Sequence, residues 1–266
     1  MATVTVSSFA EFLTAAAVSG DTVVLPEDQE WEIDSLYPEG YTGNISLNCA
    51  EIRGNGTTLK NLHLHGVFNC GGDITIRNLK LINLVCDGNG GSSYNSCLFS
   101  AAASYLSNVI TMDHCTISAM CGSGIQNFAY RRAVLNACSI NIQFAGAYEQ
   151  SGLFDTLLNA QYSRLKMTAP NYNPSQLQIG YCSFCELNII APNVPYIYAD
   201  SVSACKIIGN LGTAEIQGGD EGRDYINIFS LNTMPHAESS TWFAGVTDQQ
   251  MTDAAYLASI GFPVGA

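Results

Sequence analysis

The chain has 266 residues, a net charge of −13 and only 12% charged side chains. Ten Lys and Arg, scattered rather than clustered, exclude a basic nucleic-acid-binding face. No run of about 18 apolar residues reads as a membrane span, and residues Met1 to Val6 lack a basic region ahead of an apolar run, which predicts synthesis in a cytosol without a secretory signal.

In chain order, Ser8 and Glu11 predict a capping box, followed by a helix with Phe9, Phe12, Leu13 and Ala16 on one apolar face. Gly20 and Asp21 end it, and residues 22–26 read as the first strand. Residues 27–58 are irregular, with Trp31 and a loop at Tyr37 to Tyr41. Two glycosylation sequons, at Asn44 and Asn55, read as turns because no secretory signal precedes them.

From Leu59 to Ile207 one short figure recurs. Its anchors are Leu62, Leu79, Cys115, Cys138, Ser163, Cys185 and Cys205, spaced by 17, 36, 23, 25, 22 and 20 residues. After each anchor apolar and polar residues alternate, as in Cys138-Ser139-Ile140-Asn141-Ile142. The residue two before is polar every time and the residue three before is apolar every time: Leu59, Ile76, Met112, Leu135, Ala160, Cys182 and Val202. Each repeat is therefore strand, tight bend, strand. A period of roughly 20–25 residues built of strands is the signature of a solenoid. The long step after Leu79 holds a Gly- and Ser-rich insertion at 87–96, a candidate binding edge.

This figure resembles the right-handed parallel β-helix of the pectate-lyase-like superfamily, where a two-residue bend, often holding Asn, separates two sheets. Asn61 and Asn78 match that bend, whereas His114, Ala137, Tyr162, Phe184 and Ala204 depart from it. The helix followed by Gly20-Asp21-Thr22 resembles the opening of many such proteins, where it covers the exposed end of the solenoid. The resemblance implies an all-β chain: a right-handed parallel β-helix over residues 1–246, with an N-terminal cap helix at 7–18, then a C-terminal helix and tail at 247–266.

Ten cysteines raise the question of disulfides or metal. Cys115, Cys138, Cys182, Cys185 and Cys205 fall at inward positions, which predicts a reduced, buried ladder. Cys182 and Cys185 have CxxC spacing but straddle a bend, and no second pair follows at zinc spacing. Cys49, Cys70, Cys86, Cys97 and Cys121 lie outside this register. The residues just after the anchors, His63, Lys80, Thr116, Ser139, Arg164, Glu186 and Lys206, form an outward row, in which His63 reads as a solvated face residue and the last three as a sign-alternating charge ladder.

After Gly212 the pattern loosens. Asp220, Glu221 and Asp224 make an acidic turn, and Tyr225 to Phe229 reads as the last strand. Thr247 and Gln250 predict a second capping box, with Met251, Ala254, Ala255 and Leu257 on one helical face and Gly261 as its stop. Residues 253–262 resemble the closing helix of repeat proteins encoded in bacterial and prophage genomes.

Lyases of the resembled fold gather several Asp or Glu around Ca²⁺, and its hydrolases place two or three Asp within a coil or two. Here the outward row offers Glu186 alone, Asp113 sits at a bend between Arg77 and Asn136, Asp155 is isolated, and the 220–224 acids share one turn. No catalytic, cofactor or metal residue is therefore assigned. The expectation is a non-enzymatic structural or attachment protein of a phage virion, a head- or tail-decorating component located in the virion and made in the host cytoplasm. Its expected partners are further copies of itself (a trimer), other virion proteins and surface glycans, with no nucleic acid and no membrane. The oligomer rests on apolar residues expected outward, Ile82, Ile208, Tyr225, Phe229, Trp242 and Phe243. The rival readings are a polysaccharide-degrading β-helix enzyme and a glycan-binding module.

Overall fold

The bends define the architecture. Asn61, Asn78, His114, Ala137, Tyr162, Phe184 and Ala204 all adopt φ between 49° and 56°. This left-handed region costs an L-residue about 1–2 kcal/mol, least for Asn. It turns the chain sharply enough that the next residue, the anchor, points inward. A computed structural model describes residues 1–36, 43–87, 97–101, 108–122, 125, 127–129, 132–145, 158–171, 177–217, 225–232 and 242–264. The described residues are mostly β, 51% strand and 11% helical, in long parallel sheets consistent with an all-β solenoid.

Two compact units divide it, Met1–Gly146 and Ala147–Ala266. In the first, one sheet runs Thr3–Thr5, Thr22–Val24, Glu51–Arg53, Ile74–Arg77, Val109–Asp113, Arg132–Asn136. A second runs Glu30–Glu32, Thr58–Lys60, Lys80–Cys86, Thr116–Cys121, Ser139–Phe144, with His63–Leu64 also paired to Lys80–Cys86. A third holds Ile45–Leu47, Phe68–Cys70, Cys97–Ala101 and Asn127–Ala129. Between them the core is apolar and in register, including stacked Phe68 and Phe99 rings at 5.0 Å. The second unit repeats two of these sheets: Leu158–Gln161, Leu177–Ser183, Tyr196–Ser203, Glu215–Gln217, and Arg164–Thr168, Glu186–Ile190, Lys206–Asn210, Asn227–Ser230, Phe243–Val246.

The anchors do more than fill space. Cys115 Sγ donates to the Ile76 carbonyl at 3.3 Å, Cys138 Sγ to Met112 at 3.4 Å, Cys185 Sγ to Ala160 at 3.4 Å and Cys205 Sγ to Cys182 at 3.4 Å. Each thiol thus reaches a carbonyl in the preceding repeat, at the apolar position three before that repeat's anchor. Asn227, paired one repeat beyond Cys205, does the same with its amide: Nδ2 donates to Val202 at 2.7 Å. These carbonyls belong to strands of the parallel ladder, and with two lone pairs each can take the anchor as a further donor. All ten cysteines are free and buried, including the five that the sequence register leaves unassigned. Burial pushes the Cys70 and Cys121 thiols up to about 12 and Cys49 up to about 11.

One register expectation is corrected. Lys80 pairs with Thr58 and Leu81 with Leu59, so the counterpart of Leu79 is Thr57, not Leu62. Thr57 is fully buried and its Oγ1 donates to the Pro26 carbonyl, as the thiols do in later repeats. Asn61 belongs to a second bend inside the sheet, shared with Asn83 (φ 54°), whose Nδ2 donates to Asn61 Oδ1 at 3.0 Å. His63 therefore pairs with Val85 and lies off the Lys80 row.

Both ends are capped by helices. In α1 (Phe9–Ala16), Glu11 N–H donates to Ser8 Oγ, but the Glu11 carboxylate reaches Ser7 rather than Ser8, accepting from its N–H at 2.7 Å. Phe9, Phe12, Ala15 and Ala16 are buried, and the Ala16 carbonyl accepts from Asn48 N–H at 2.8 Å, which seats the helix on the first repeats. Strand Thr3–Thr5 precedes residues 22–24 and covers their edge, so the expected first strand is the second. A short α2 (Ile33–Leu36) interrupts the early repeats. Asn55 is a turn residue with φ 51°, whereas Asn44 stands just ahead of strand Ile45–Leu47, its Oδ1 accepting from Val67 N–H at 2.9 Å.

At the other end the expected single helix is two, α3 (Asp248–Thr252) and α4 (Ala254–Ser259). Asp253 interrupts them, because its carboxylate caps the second by accepting from Ala255 and Tyr256 N–H. The Thr247–Gln250 capping box is present. Gly261 (φ 82°) stops α4, and Phe262 N–H returns to the Leu257 carbonyl at 2.9 Å. Ile228, Val246, Leu257 and Phe262 form one buried cluster. A further strand, Phe243–Val246, follows the expected last one. Phe229 and Phe243 are buried within the chain itself, so neither contributes to an exposed patch, whereas Tyr225 is 42% exposed.

Two outcomes follow. Ala137→Gly relieves a left-handed alanine (φ 49°) and is expected to raise stability by about 0.5–1 kcal/mol in urea unfolding. No gain there means the surrounding repeats hold this backbone without strain. Cys115, Cys138, Cys185 and Cys205 are expected to resist thiol reagents until the protein is denatured. Cys138→Ala should cost about 1 kcal/mol, and Cys138→Asp several, through a buried charge.

Candidate functional site

Three groups of polar and aromatic side chains stand on outer faces. The first lies at the His114 bend. Arg77 bridges two carboxylates, from Nε to Glu51 Oε1 at 3.0 Å and from Nη1 to Asp113 Oδ2 at 3.0 Å. Asp113 also accepts from Asn136 Nδ2 at 2.7 Å and lies 2.8 Å from His114 Nδ1. Burial pulls the Asp113 carboxyl up, but the bonds from Asn136, His114 and Arg77 outweigh it and hold it below the usual carboxylate range. Hydrogen bonding from Arg53 does most to hold Glu51 low as well. An ionised, fully bonded carboxylate steadies neighbouring repeats; it is a poor proton donor.

The second group lines an open cleft of about 310 Å³ in Ala147–Ala266. Its floor is the bend column Tyr162, Phe184 and Ala204 with the outward row Arg164, Glu186 and Lys206 beside it, and one wall is the C-terminal segment through Phe262, Pro263 and Val264. The Tyr162 and Phe184 rings stack at 5.1 Å with 10° between their planes, and Tyr225 tilts at 58° against Phe184 at 5.7 Å, filling the side that small Ala204 leaves open. Bulky residues rarely hold φ near +50°, yet Tyr162 and Phe184 do, and Tyr162 is 55% exposed. Arg164, Glu186 and Lys206 stand in register on successive strands. Among the described residues they form no ion pair with one another; Lys206 Nζ lies 5.8 Å from the centre of the Phe262 ring instead. The expected charge ladder is thus three separate charged heads at the cleft. Such a surface stacks on apolar faces and hydrogen-bonds charged or hydroxylated groups.

The third group is His63, His65 and Asp87, whose Oδ2 lies 3.0 Å from His63 Nε2 and 2.8 Å from His65 Nδ1. His63 is therefore partnered, not simply solvated. Compared with family models, curated proteins and solved structures, the chain matches none.

Glu186 and Asp113 thus belong to different units and different surroundings. Asp155, Asp220, Glu221 and Asp224 lie outside the described residues, as do residues 88–96 of the insertion and the Tyr37–Tyr41 loop. Sequence reading passed over the Phe262–Val264 wall, because nothing local shows that the tail folds back beside the Glu186 row. It also passed over His65 and Asp87.

Asp113 has a native pKa below its unfolded value of about 3.9. The stability it contributes is present above that unfolded value and is lost as pH falls through the native one. Asp113→Asn is thus expected to lower stability at pH 7 by about 0.5–1 kcal/mol, with the gap closing towards pH 2–3 in thermal unfolding. An equal gap at both pH values would mean that the charge of Asp113 contributes nothing.

Proposed function

We propose that this chain is a non-enzymatic attachment protein, a right-handed parallel β-helix of the pectate-lyase-like kind that serves as a structural component of a phage virion and holds surface glycans in the Tyr162–Lys206 cleft. The observation that carries the glycan reading is the composition of that cleft: an exposed Tyr162 ring stacked on half-buried Phe184 at left-handed bends, two cations and one carboxylate, with an apolar wall opposite. Strain at a bend is tolerated where the side chain it presents is useful. Sugars offer an apolar face for Tyr162 and hydroxyls for the charged row, and Arg164 with Lys206 outnumber Glu186, which favours an acidic sugar.

The rigid parallel sheets supply the scaffold role, and the virion location rests on the resemblance of the repeat and of the closing helix. Tyr181, at 52% exposure, and Tyr225 offer apolar surface for a second copy or another virion protein. Self-association as a trimer belongs to this same proposal.

A glycan array with acidic and neutral polysaccharides tests the cleft. Binding is expected to favour acidic glycans and to weaken about tenfold in Tyr162→Ala, the effect of losing roughly 1.4 kcal/mol of aromatic contact. Binding unchanged by Tyr162→Ala and Arg164→Ala moves the site elsewhere. Release of reducing sugar from the bound glycan, abolished by Glu186→Gln, would make the chain a depolymerase instead. Mass spectrometry of purified particles tests the location: absence from every particle fraction removes the virion role.

A further inference from the structure

His63 and His65 flank Leu64, which is fully buried, so the alternation of a strand puts both imidazoles on one outward face. The next repeat supplies the third group. His63 pairs with Val85 and Leu64 with Cys86, which sets Asp87 beside His65, and Asp87 N–H donates to the Leu64 carbonyl at 2.9 Å. One backbone ladder thus fixes all three Cα positions, with buried Leu64 and Cys86 beneath them. The imidazole centroids are 4.7 Å apart with planes inclined at 48°, so the rings converge on the carboxylate instead of stacking on each other.

We propose that His63, His65 and Asp87 bind a divalent first-row transition-metal ion, zinc foremost. His63, His65 and Asp87 each offer one ligand atom, a ring nitrogen or a carboxylate oxygen, and these lie within 4.8 Å of one another. Bonds of about 2.0–2.1 Å to a tetrahedral ion require ligand atoms roughly 3.3 Å apart. The hydrogen-bonded separations of 3.0 and 2.8 Å need to open by a few tenths of an ångström, and the two imidazole nitrogens, within 4.8 Å of each other, to close towards that spacing, changes within reach of side-chain torsions. Two imidazole nitrogens and one carboxylate oxygen select zinc and its neighbours over calcium or magnesium, which take oxygen ligands.

Access is open. The three side chains are 35%, 45% and 46% exposed. In the following repeat Gly122 passes so close that a Cβ there would lie 2.9 Å from the Asp87 carbonyl oxygen, so no side chain covers the carboxylate from that position. Water then completes the coordination. The ten thiols, softer ligands in principle, are all buried and do not compete at this face. An ion here ties His63 and His65 of one repeat to Asp87 of the next, where the strand Lys80–Cys86 ends. The site is separate from the cleft and stands whether or not that cleft binds a glycan.

The test uses the untagged full chain, stripped with a chelator and titrated with Zn²⁺ by calorimetry and with Co²⁺ by visible absorption. The expected result is one equivalent bound, cobalt bands of nitrogen and oxygen ligation, and a thermal midpoint that rises with ion concentration, as for any ligand of the native state. His65→Gln and Asp87→Asn are each expected to weaken binding by at least about tenfold while keeping the metal-free far-ultraviolet dichroism. Should either fail to fold, His63→Gln reads the same loss. No heat and no spectral change at millimolar ion overturns the proposal, as does thiolate-to-cobalt charge transfer or undiminished binding in the variants.

Discussion

Everything in this chain depends on how a left-handed bend is made tolerable. The bend places the next side chain inside, against a carbonyl of the preceding repeat. A thiol meets that carbonyl at Cys115, Cys138, Cys185 and Cys205, and a hydroxyl at Thr57 after Gly56 (φ 82°); the Asn227 amide makes the same contact without a left-handed residue before it. Cysteine recurs because it is small, largely apolar and still a weak donor. It bonds the carbonyl without the desolvation cost of a stronger polar group. The abundance of cysteine is thus a packing solution; none of the ten is in a disulfide.

Once the bend fixes the register, outward residues form columns whose chemistry differs between the two units. In Met1–Gly146 the columns near the bends are polar. Asn83 bonds Asn61, Lys60 reaches Glu30 and Glu32, and Arg77 joins Glu51 to Asp113. Exposed pairs of this kind are screened by solvent, so their effect is register more than stability. In Ala147–Ala266 the same bend position carries Tyr162 and Phe184, which gain stacking but accept strain that Asn would lessen. The exchange makes sense where the rings meet something besides each other, and Tyr162 is the exposed end of the stack.

The repeat was legible because its signal is local: an apolar residue, a polar one, a bend and an anchor, in a fixed order. Every bend read from that order has the left-handed backbone, and every cysteine placed inward is buried. The one slip in register came from Asn61, whose flanking residues imitate the figure while sitting mid-sheet. Taking Leu62 as an anchor gives a step of 17 residues; the true partner, Thr57, gives 22 and hides its role behind a hydroxyl. With the longer step His65 falls opposite Asp87, so that error alone concealed the His–Asp cluster. The tail was harder to read for a different reason. Its two capping signals are local and visible, but Phe262 finds its place beside the Glu186 row only through long-range packing.

Charge ties the cleft to the whole chain. With a net charge of −13, an acidic ligand approaching at long range is repelled. Three cations of the first unit are committed: Arg53 and Arg77 to Glu51, Lys60 to Glu30 and Glu32. Arg164 and Lys206 line the cleft instead, a small positive spot on an acidic body. At physiological salt the Debye length is about 8 Å, so the distant carboxylates are screened while groups lining the cleft still act at contact distance. Recognition of the proposed ligand there would depend on direct hydrogen bonding and stacking rather than on steering from afar. On the proposal that this cleft takes an acidic glycan, the selection falls on shape, on what fits between the Tyr162 stack and the Phe262 wall.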